Sequence, residues 1–352
     1  MEQPNEDLSK AMGQLSVTDN SDKTSSSKNL SDMPFDVVGL VIERSDYKEQ
    51  LILRKTSKSL RALVDKQQPA CTRLIVSCKS DWIICHYNDY CVAYVPPFWN
   101  QDDIHVGYEN QRFDNILKIV DFEQVAFDDL ASTLRNLKLQ LETFSFDSEN
   151  FDDSVEFDSF DSQDVNWEFR NKFDDMQEIL ESIDHKVSVK ECRIDVTNLS
   201  NAMSILPYLK PGVLEKITFR FDRSVLEWDV DCESMEQVAL LDQWKQAKEL
   251  ELRCGFDNEF LTDHATHFKR FLFFEAFIYC ETLASIRNYI LKHENAKFST
   301  ILGYYRNDEL RNVVGIKVSP NSSHYSISNS DDYLEFIFTK NRITIEKKKK
   351  SN

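Results

Sequence analysis

A recurring pattern, apolar-x-x-apolar-x-apolar, constrains the fold of this chain more than any other feature of its sequence. Copies occupy residues 141–146, 189–194, 214–219, 247–252 and 268–273, and a degenerate copy begins at Phe298. The alternation within each copy predicts a β-strand, and helical patterns lie between the copies over 199–209, 235–246 and 282–292. One strand and one helix in each repeat predict a leucine-rich-repeat-like α/β solenoid with a parallel sheet, within residues 127–346. Because the repeat lengths vary, an irregular α/β domain is the alternative.

The side chains between the buried positions of each predicted strand form a second pattern. If the strands stack side by side, these side chains line one concave face of the solenoid. Their mixed charge suits a protein surface better than a small ligand or a nucleic acid. We therefore predict a target-binding row, although every such sheet displays some side chains and the row can equally be inert. The predicted residues are Ser145, Arg193, Thr218, Glu251 and Leu272.

Three short amphipathic helices are predicted between residues 33 and 70. Pro34 suits the first turn of a helix, Asp46 and Glu49 have the spacing of a capping box, and Ser57 precedes a third helix that Pro69 ends. Fewer than about 40 residues cannot bury a full core alone. The helices therefore predict a docking module, with an ordinary helical bundle as the alternative.

Two segments flank this helical region. Residues 1–32 are rich in Ser, Asp, Asn and Lys, a composition that predicts a disordered leader. Alternating apolar residues between 72 and 95, with turn residues between them, predict a small β-meander. We expect this meander to form a linker over residues 71–126.

The later part of the chain contains an acidic stretch and a closing hairpin. Residues 146–164 hold three Phe-Asp-Ser triplets and no basic residue, which predicts an acidic loop insertion. The segments 333–339 and 342–346 predict a hairpin that covers the edge of the sheet. Residues 347–352 predict a basic tail.

Composition and motifs exclude several functional classes. The net charge of −18 and the isoelectric point near 4.9 disfavour nucleic acids and anionic membranes as partners. No apolar run reaches the length of a membrane span, and no secretory signal opens the chain. The eight cysteines form no CxxC, so we expect reduced thiols in the cytoplasm or nucleus. His264 and His267 have HxxH spacing without an acidic ligand set, and no phosphate loop or nucleophile elbow is present. We predict a non-catalytic protein without metal or cofactor.

The helical region resembles an F-box. The resemblance rests on Met-Pro, a Val/Ile-rich helix, Ser-Asp-Tyr-Lys-Glu-Gln-Leu-Ile-Leu-Arg-Lys over 45–55, and Ser-Lys-Ser-Leu-Arg-Ala-Leu-Val-Asp over 57–65. It implies docking to a Skp-type adaptor, and through it to a cullin–RING ubiquitin ligase. The implied adaptor-binding residues are Pro34, Val37, Val38, Val41, Leu51 and Leu60. Leu60 stands where many F-boxes have Trp, which leaves open a scaffold that keeps the F-box fold without a ligase role.

The repeat region is similar to the FTH domain of nematode F-box proteins. The similarity rests on residues 141–147, 209–217, 243–252 and 267–271. It implies a protein-interaction module that holds a target for an SCF-type E3 ubiquitin ligase, and it names no target. The expected architecture is mixed α/β, with a three-helix F-box, a β-meander linker and a leucine-rich-repeat-like solenoid.

Overall fold

A computed structural model describes most of the chain beyond the predicted leader. Contacts divide the chain into two units, residues 1–41 and residues 42–352. The predicted leader, residues 1–32, and residues 149–164 of the predicted acidic insertion lie outside the described residues. The described residues are 33–79, 82–97, 115–148, 171–196, 198–221, 232–253, 264–293, 295–305, 310, 313–328 and 330–350.

The three predicted helices are present and begin as their capping residues predict. They are α1 (Phe35–Arg44), α2 (Tyr47–Thr56) and α3 (Lys58–Val64). The backbone N–H of Val37 donates to the Pro34 carbonyl, 3.0 Å away, at the start of α1. Asp46 and Glu49 form a capping box, in which each side chain accepts from the backbone N–H of the other residue, at 2.8 and 3.1 Å. Ser57 caps α3.

The predicted meander is present and belongs to the main sheet. Its strands β1 (Arg73–Cys78), β2 (Ile83–Tyr87) and β3 (Tyr90–Val95) pair antiparallel, and β4 (Asn115–Lys118) pairs in parallel with β3. Asn88 turns the chain between β2 and β3 at φ 57°, a conformation that Asn tolerates better than most residues. Because β1 also pairs in parallel with the next strand of the chain, β5 (Gln140–Ser148), the meander and the repeats form one sheet.

The repeat pattern correctly predicts the parallel part of the sheet. After β5 come β6 (Ser188–Val196), β7 (Lys216–Phe221), β8 (Glu249–Arg253), β9 (Arg270–Phe277) and β10 (Phe298–Tyr304), each parallel to the one before. Even the degenerate copy at Phe298 forms a strand.

Helices connect most of these strands. They are α4 (Phe122–Leu134), α5 (Lys172–Glu181), the 3₁₀ helices Leu199–Ser204 and Leu206–Tyr208, α6 (Cys232–Leu240), α7 (Asp242–Gln246) and α8 (Cys280–Lys292).

The predicted hairpin closes the parallel sheet and is followed outward by two strands that the sequence did not reveal. Its strands are β13 (Asp332–Thr339) and β14 (Arg342–Lys349), and β14 pairs antiparallel with β10. The strands β11 (Ile316–Ser319) and β12 (Ser322–Ser326) continue the antiparallel part. Across the described residues, the sheet has 14 strands in the order β11-β12-β13-β14-β10-β9-β8-β7-β6-β5-β1-β2-β3-β4.

One face of the sheet carries the main apolar core. The alternate residues of the parallel strands, such as Phe144 and Ile217, are at most 1% exposed. The ring centroid of Phe146 lies 5.0 Å from that of Phe173 in α5, so the helices lie against this face. The intervening side chains point to the opposite face, which we call the open face of the sheet.

Three predicted boundaries need correction. The single helix predicted over 199–209 is two 3₁₀ helices, because Pro207 lacks the N–H that a continuous helix needs. Residues 146–148 of the predicted loop belong to β5, where they pair with β1. The predicted tail residues 347–349 belong to β14, where Lys348 pairs with Glu335 at 2.5 Å. The chain is thus a mixed α/β protein, with an N-terminal helical region followed by a large mixed sheet.

Candidate functional site

The first candidate site is the helical region. The predicted docking residues differ in exposure: Pro34 and Val37 are exposed, Val41 and Leu51 are half-buried, and Val38 and Leu60 are buried. Val38 is 2% exposed and Leu60 is 8% exposed. Such side chains serve the packing of the chain itself, and a partner cannot contact them directly without a rearrangement.

Four exposed apolar side chains in this region were missed by sequence reasoning. Met33, Phe35 and Leu40 are 39%, 69% and 55% exposed in the first unit, and Ile52 is 56% exposed in the second. The spacing of Val37 and Leu40 places both on one face of α1. That spacing was the signal that could have identified Leu40 from the sequence.

Helix α2 is anchored to the sheet and to α4 by buried polar and aromatic contacts. The Tyr47 hydroxyl lies 2.7 Å from Thr133 Oγ1, and the Tyr47 ring centroid lies 5.1 Å from that of Tyr87 in β2. Burial raises the pKa of Tyr47 well above its ordinary value, so the hydroxyl stays protonated and remains able to hydrogen-bond. Asp129 of α4 accepts from Lys55 Nζ at 2.9 Å.

The end of α3 is fastened to the segment that leads into β5. Asn136 Nδ2 donates to the backbone carbonyls of Asp65 and Gln67, each 3.3 Å away. Arg54 of α2 pairs with Asp65 at 2.7 Å. The contacts of Tyr47, Lys55, Asp65 and Gln67 therefore hold α2 and the end of α3 to α4 and the segment after it, and each joins residues far apart in sequence, whereas Arg54 and Asp65 join α2 to the end of α3.

The second candidate site is the row predicted on the sheet. The five predicted residues are neighbours in strand register, since Ser145 pairs with Arg193, Arg193 with Thr218, Thr218 with Glu251, and Glu251 with Leu272. They lie on the open face, away from the helices. Their alignment follows from the same position being occupied in each repeat.

Exposure divides this row. Ser145, Thr218 and Glu251 are only 5%, 5% and 4% exposed, whereas Arg193 and Leu272 are partly exposed. A docked protein could contact Arg193 and Leu272 directly, but it could reach the other three only through their neighbours. The predicted binding role of the row stays a prediction.

Two carboxylates of the open face, the buried Glu251 and the half-buried Asp195, are each paired with two cations, one on the same strand and one on a neighbouring strand. Glu251 pairs with Lys216 at 2.8 Å and with Arg253 at 2.7 Å. Burial raises the pKa of Glu251, but the hydrogen bonds from these two cations outweigh burial and hold the pKa below its ordinary value. Asp195 pairs with Arg193 at 3.1 Å and with Arg220 at 3.2 Å. Burial is the larger effect there, and the pKa of Asp195 is raised.

Three side chains two residues beyond the predicted row were missed. Arg220, Arg253 and Phe274 follow Thr218, Glu251 and Leu272 and share their face by alternation. The Arg253 guanidinium lies 4.9 Å from the centroid of the Phe274 ring. The repeat pattern stopped short of these positions, although the same alternation extended by one step would have included them.

The two histidines with HxxH spacing form hydrogen bonds with Trp244. The Nε2 atom of His267 lies 2.7 Å from the Trp244 carbonyl, and Trp244 Nε1 donates to the His264 carbonyl at 2.8 Å. Burial lowers the pKa of His267.

Within the described ranges, no group of three or more His, Cys, Asp and Glu side chains is arranged to hold a metal ion. No helix in the described part of the chain has the length and apolarity needed to cross a membrane.

Comparison with known families assigns both regions. The model of the F-box domain matches residues 30–71, which contain all three N-terminal helices. The model of the FTH domain matches residues 170–316, which contain β6 to β10. The chain has an F-box domain and a C-terminal FTH domain. A search of curated proteins found no match to the chain. The F-box and FTH matches agree with the resemblances identified from the sequence, and the FTH match lies inside the predicted range 127–346.

Proposed function

We propose that this chain is a substrate-recognition subunit of an SCF-type E3 ubiquitin ligase. The match of residues 30–71 to the F-box domain carries the proposal, because an F-box implies binding to a Skp-type adaptor of a cullin–RING ligase. The exposure of Val37 and Leu40 supports it, since side chains of this type are buried when a partner docks. Among the six predicted docking residues, Pro34 and Val37 are directly accessible.

The FTH domain is proposed to bind the protein target. Six strands that pair in parallel in chain order support a leucine-rich-repeat-like α/β solenoid, an architecture suited to extended binding surfaces. The chain acts without catalysis of its own, by holding the target near an enzyme made of other subunits. The contacts of Tyr47 and Lys55 with α4 support this role, because they restrict the orientation of α2 relative to the sheet. Cys71, Cys78, Cys85 and Cys192 are buried free thiols, which suits the cytoplasm or nucleus.

Co-purification with a purified Skp-type adaptor tests the proposal. The variant Val37→Asp/Leu40→Asp places two carboxylates on the exposed face of α1. We expect adaptor affinity to fall at least about 100-fold, because burying two aliphatic side chains contributes roughly 3 kcal/mol. The matched control is Leu240→Asp/Ile316→Asp, two positions that are 71% and 75% exposed outside the F-box match.

The control variant should bind the adaptor as the unchanged chain does. If the unchanged chain fails to bind, the ligase role is wrong. Regulation of a target that persists after adaptor depletion would instead favour the non-ligase scaffold, which the buried Leu60 in place of Trp leaves open.

A further inference from the structure

Three arginines cluster on the open face of β6, β7 and β8: Arg220 and Arg253 are register partners, and Arg193 lies one row away, beside Thr218. Arg193, Arg220 and Arg253 are 37%, 36% and 37% exposed, whereas their partners Asp195 and Glu251 are only 18% and 5% exposed. Strand pairing places Arg220 next to both Asp195 and Arg253. A molecule that approaches this face therefore meets guanidinium groups first, because the carboxylates lie beneath them.

Within the described part of the chain, the contacts of Arg220 and Arg253 orient these side chains and use only some of their donors. Arg253 donates through Nε to Glu251 at 2.7 Å, and Arg220 donates through one terminal nitrogen to Asp195 at 3.2 Å. Among the described residues, these are the hydrogen bonds that the two side chains make to carboxylates. Each guanidinium carries five N–H donors in a planar fork, so donors remain that can bind a carboxylate of another molecule.

An apolar area adjoins the arginines on β9 and β10. Leu272, Phe274 and Leu302 are partly exposed on the open face, where Phe274 pairs with Leu302 and lies under Arg253. Tyr304, at the end of β10, is 64% exposed. Arginine beside aromatic side chains is the composition that is enriched at the energetic centres of protein interfaces.

The charged groups of this surface differ in how far a partner can reach them. Arg193, Arg220 and Arg253 are about one third exposed, whereas Asp195 and Glu251 are less exposed and already accept from these arginines. At this place the surface therefore offers guanidinium groups to a partner. The complementary partner carries carboxylates.

We propose that the surface formed by Arg193, Arg220, Arg253, Leu272, Phe274 and Leu302 binds an acidic peptide segment that contains an apolar or aromatic side chain. Carboxylates of the peptide pair with the guanidinium groups, and its apolar side chain contacts Phe274 and Leu302. This inference rests on the proposed role of the FTH domain in target binding, and it names the chemistry of the target. A nucleic acid fits less well, because three arginines neutralise few phosphates while the rest of an acidic chain repels them.

Selection from a display library of random peptides on the full chain tests this inference. We expect enrichment of peptides that contain Asp or Glu together with Phe, Trp, Tyr or Leu. The variant Arg220→Gln/Arg253→Gln should bind the enriched peptides about 30-fold more weakly. It should still fold, because Asp195 keeps Arg193 and Glu251 keeps Lys216 as cationic partners.

The matched control is Arg73→Gln/Arg270→Gln. It removes the same charge from the same face, but at the amino ends of β1 and β9, and it should bind the peptides as the unchanged chain does. A second variant, Tyr304→Glu, adds a repelling charge at an exposed position and should weaken binding without unfolding the chain.

Several results would overturn the inference. The first is a selection that enriches no peptides or enriches basic ones. The second is an equal loss of peptide affinity in Arg220→Gln/Arg253→Gln and in Arg73→Gln/Arg270→Gln. The third is a single-stranded RNA that binds more tightly than the best peptide. Adaptor co-purification of the same proteins separates this inference from the proposed function. A chain that binds the adaptor and selects no acidic peptide contradicts only the inference, whereas a chain that selects acidic peptides and fails to bind the adaptor contradicts only the ligase role.

Discussion

Replacement of Glu251 by Gln should destabilise the FTH domain in a way that depends on pH. The Glu251 side chain is 5% exposed, and its carboxylate receives hydrogen bonds from Lys216 and Arg253, at 2.8 and 2.7 Å. Thr218 Oγ1 lies 3.5 Å away. Gln keeps the shape of the side chain and removes its charge, so the substitution isolates the electrostatic contribution of this cluster.

The size of the effect follows from these contacts. A hydrogen bond to a charged group contributes about 1.5 to 3 kcal/mol, and Glu251 loses the ionic part of two such bonds. Lys216 and Arg253 are 29% and 37% exposed, so both cations can recover solvation and the loss is smaller than for a fully buried pair. We expect the free energy of unfolding at neutral pH to fall by about 2 to 3 kcal/mol.

The pH dependence gives the sharper test. Because the pKa of Glu251 in the folded chain is below its ordinary value of 4.5, the carboxylate stabilises the fold at pH values above about 4.5. That contribution is lost as the pH falls through the lowered folded-state pKa. Urea unfolding should therefore show the difference between Glu251→Gln and the unchanged chain at pH 7, and the difference should shrink as the pH falls below about 4.5.

The matched control is Glu142→Gln. Glu142 is also bonded to a lysine, Lys190 at 2.7 Å, but its side chain is 60% exposed, and we expect no measurable change. Equal losses in Glu251→Gln and Glu142→Gln, or a difference that persists unchanged in acid, would refute the assignment of Glu251 as a buried, ion-paired carboxylate.

Three further predictions concern other parts of the chain. Tyr47→Phe and Thr133→Val should each lower the free energy of unfolding by about 1 kcal/mol, and the double variant should lose less than their sum in a double-mutant cycle, because both remove one 2.7 Å hydrogen bond. Gly315→Ala should lower the melting temperature more than Gly212→Ala, although both glycines have positive φ. An added Cβ at Gly315 would lie 2.4 Å from a backbone oxygen, whereas one at Gly212 would lie 3.1 Å from a side-chain atom that can move. Cys85 is fully buried, which raises its pKa to about 12, so it should resist alkylation at pH 8 in the folded chain and react after denaturation.

The strands of the repeats could be predicted from the sequence because the pattern that identifies them is local. Each repeat alternates apolar and polar residues, and that alternation alone determines which side chains share a face. The predicted row from Ser145 to Leu272 is in register for this reason. The capping box of Asp46 and Glu49 was equally readable, because its two residues lie three positions apart.

The exposure of the predicted docking residues could not be predicted from the sequence. Val38 and Leu60 have the same apolar character as Val37 and Leu40. The first two are buried, whereas Val37 and Leu40 are exposed. The sequence identifies which residues prefer burial, but there is not enough internal surface to bury all of them. Which ones remain for a partner is decided by the arrangement of the elements.

The sequence by itself determined the mixed α/β class, the order of the parallel strands β5 to β10 and the presence of an F-box beside an FTH domain. The tertiary structure decided which distant residues meet, as in the contact of Tyr47 with Thr133 and the pairing of Lys55 with Asp129. It also decided that β1 joins β5, which makes the meander part of the repeat sheet. The physical reason is that periodicity and capping act over a few residues, whereas these contacts join residues that are more than 60 positions apart and come together only when the sheet and helices pack.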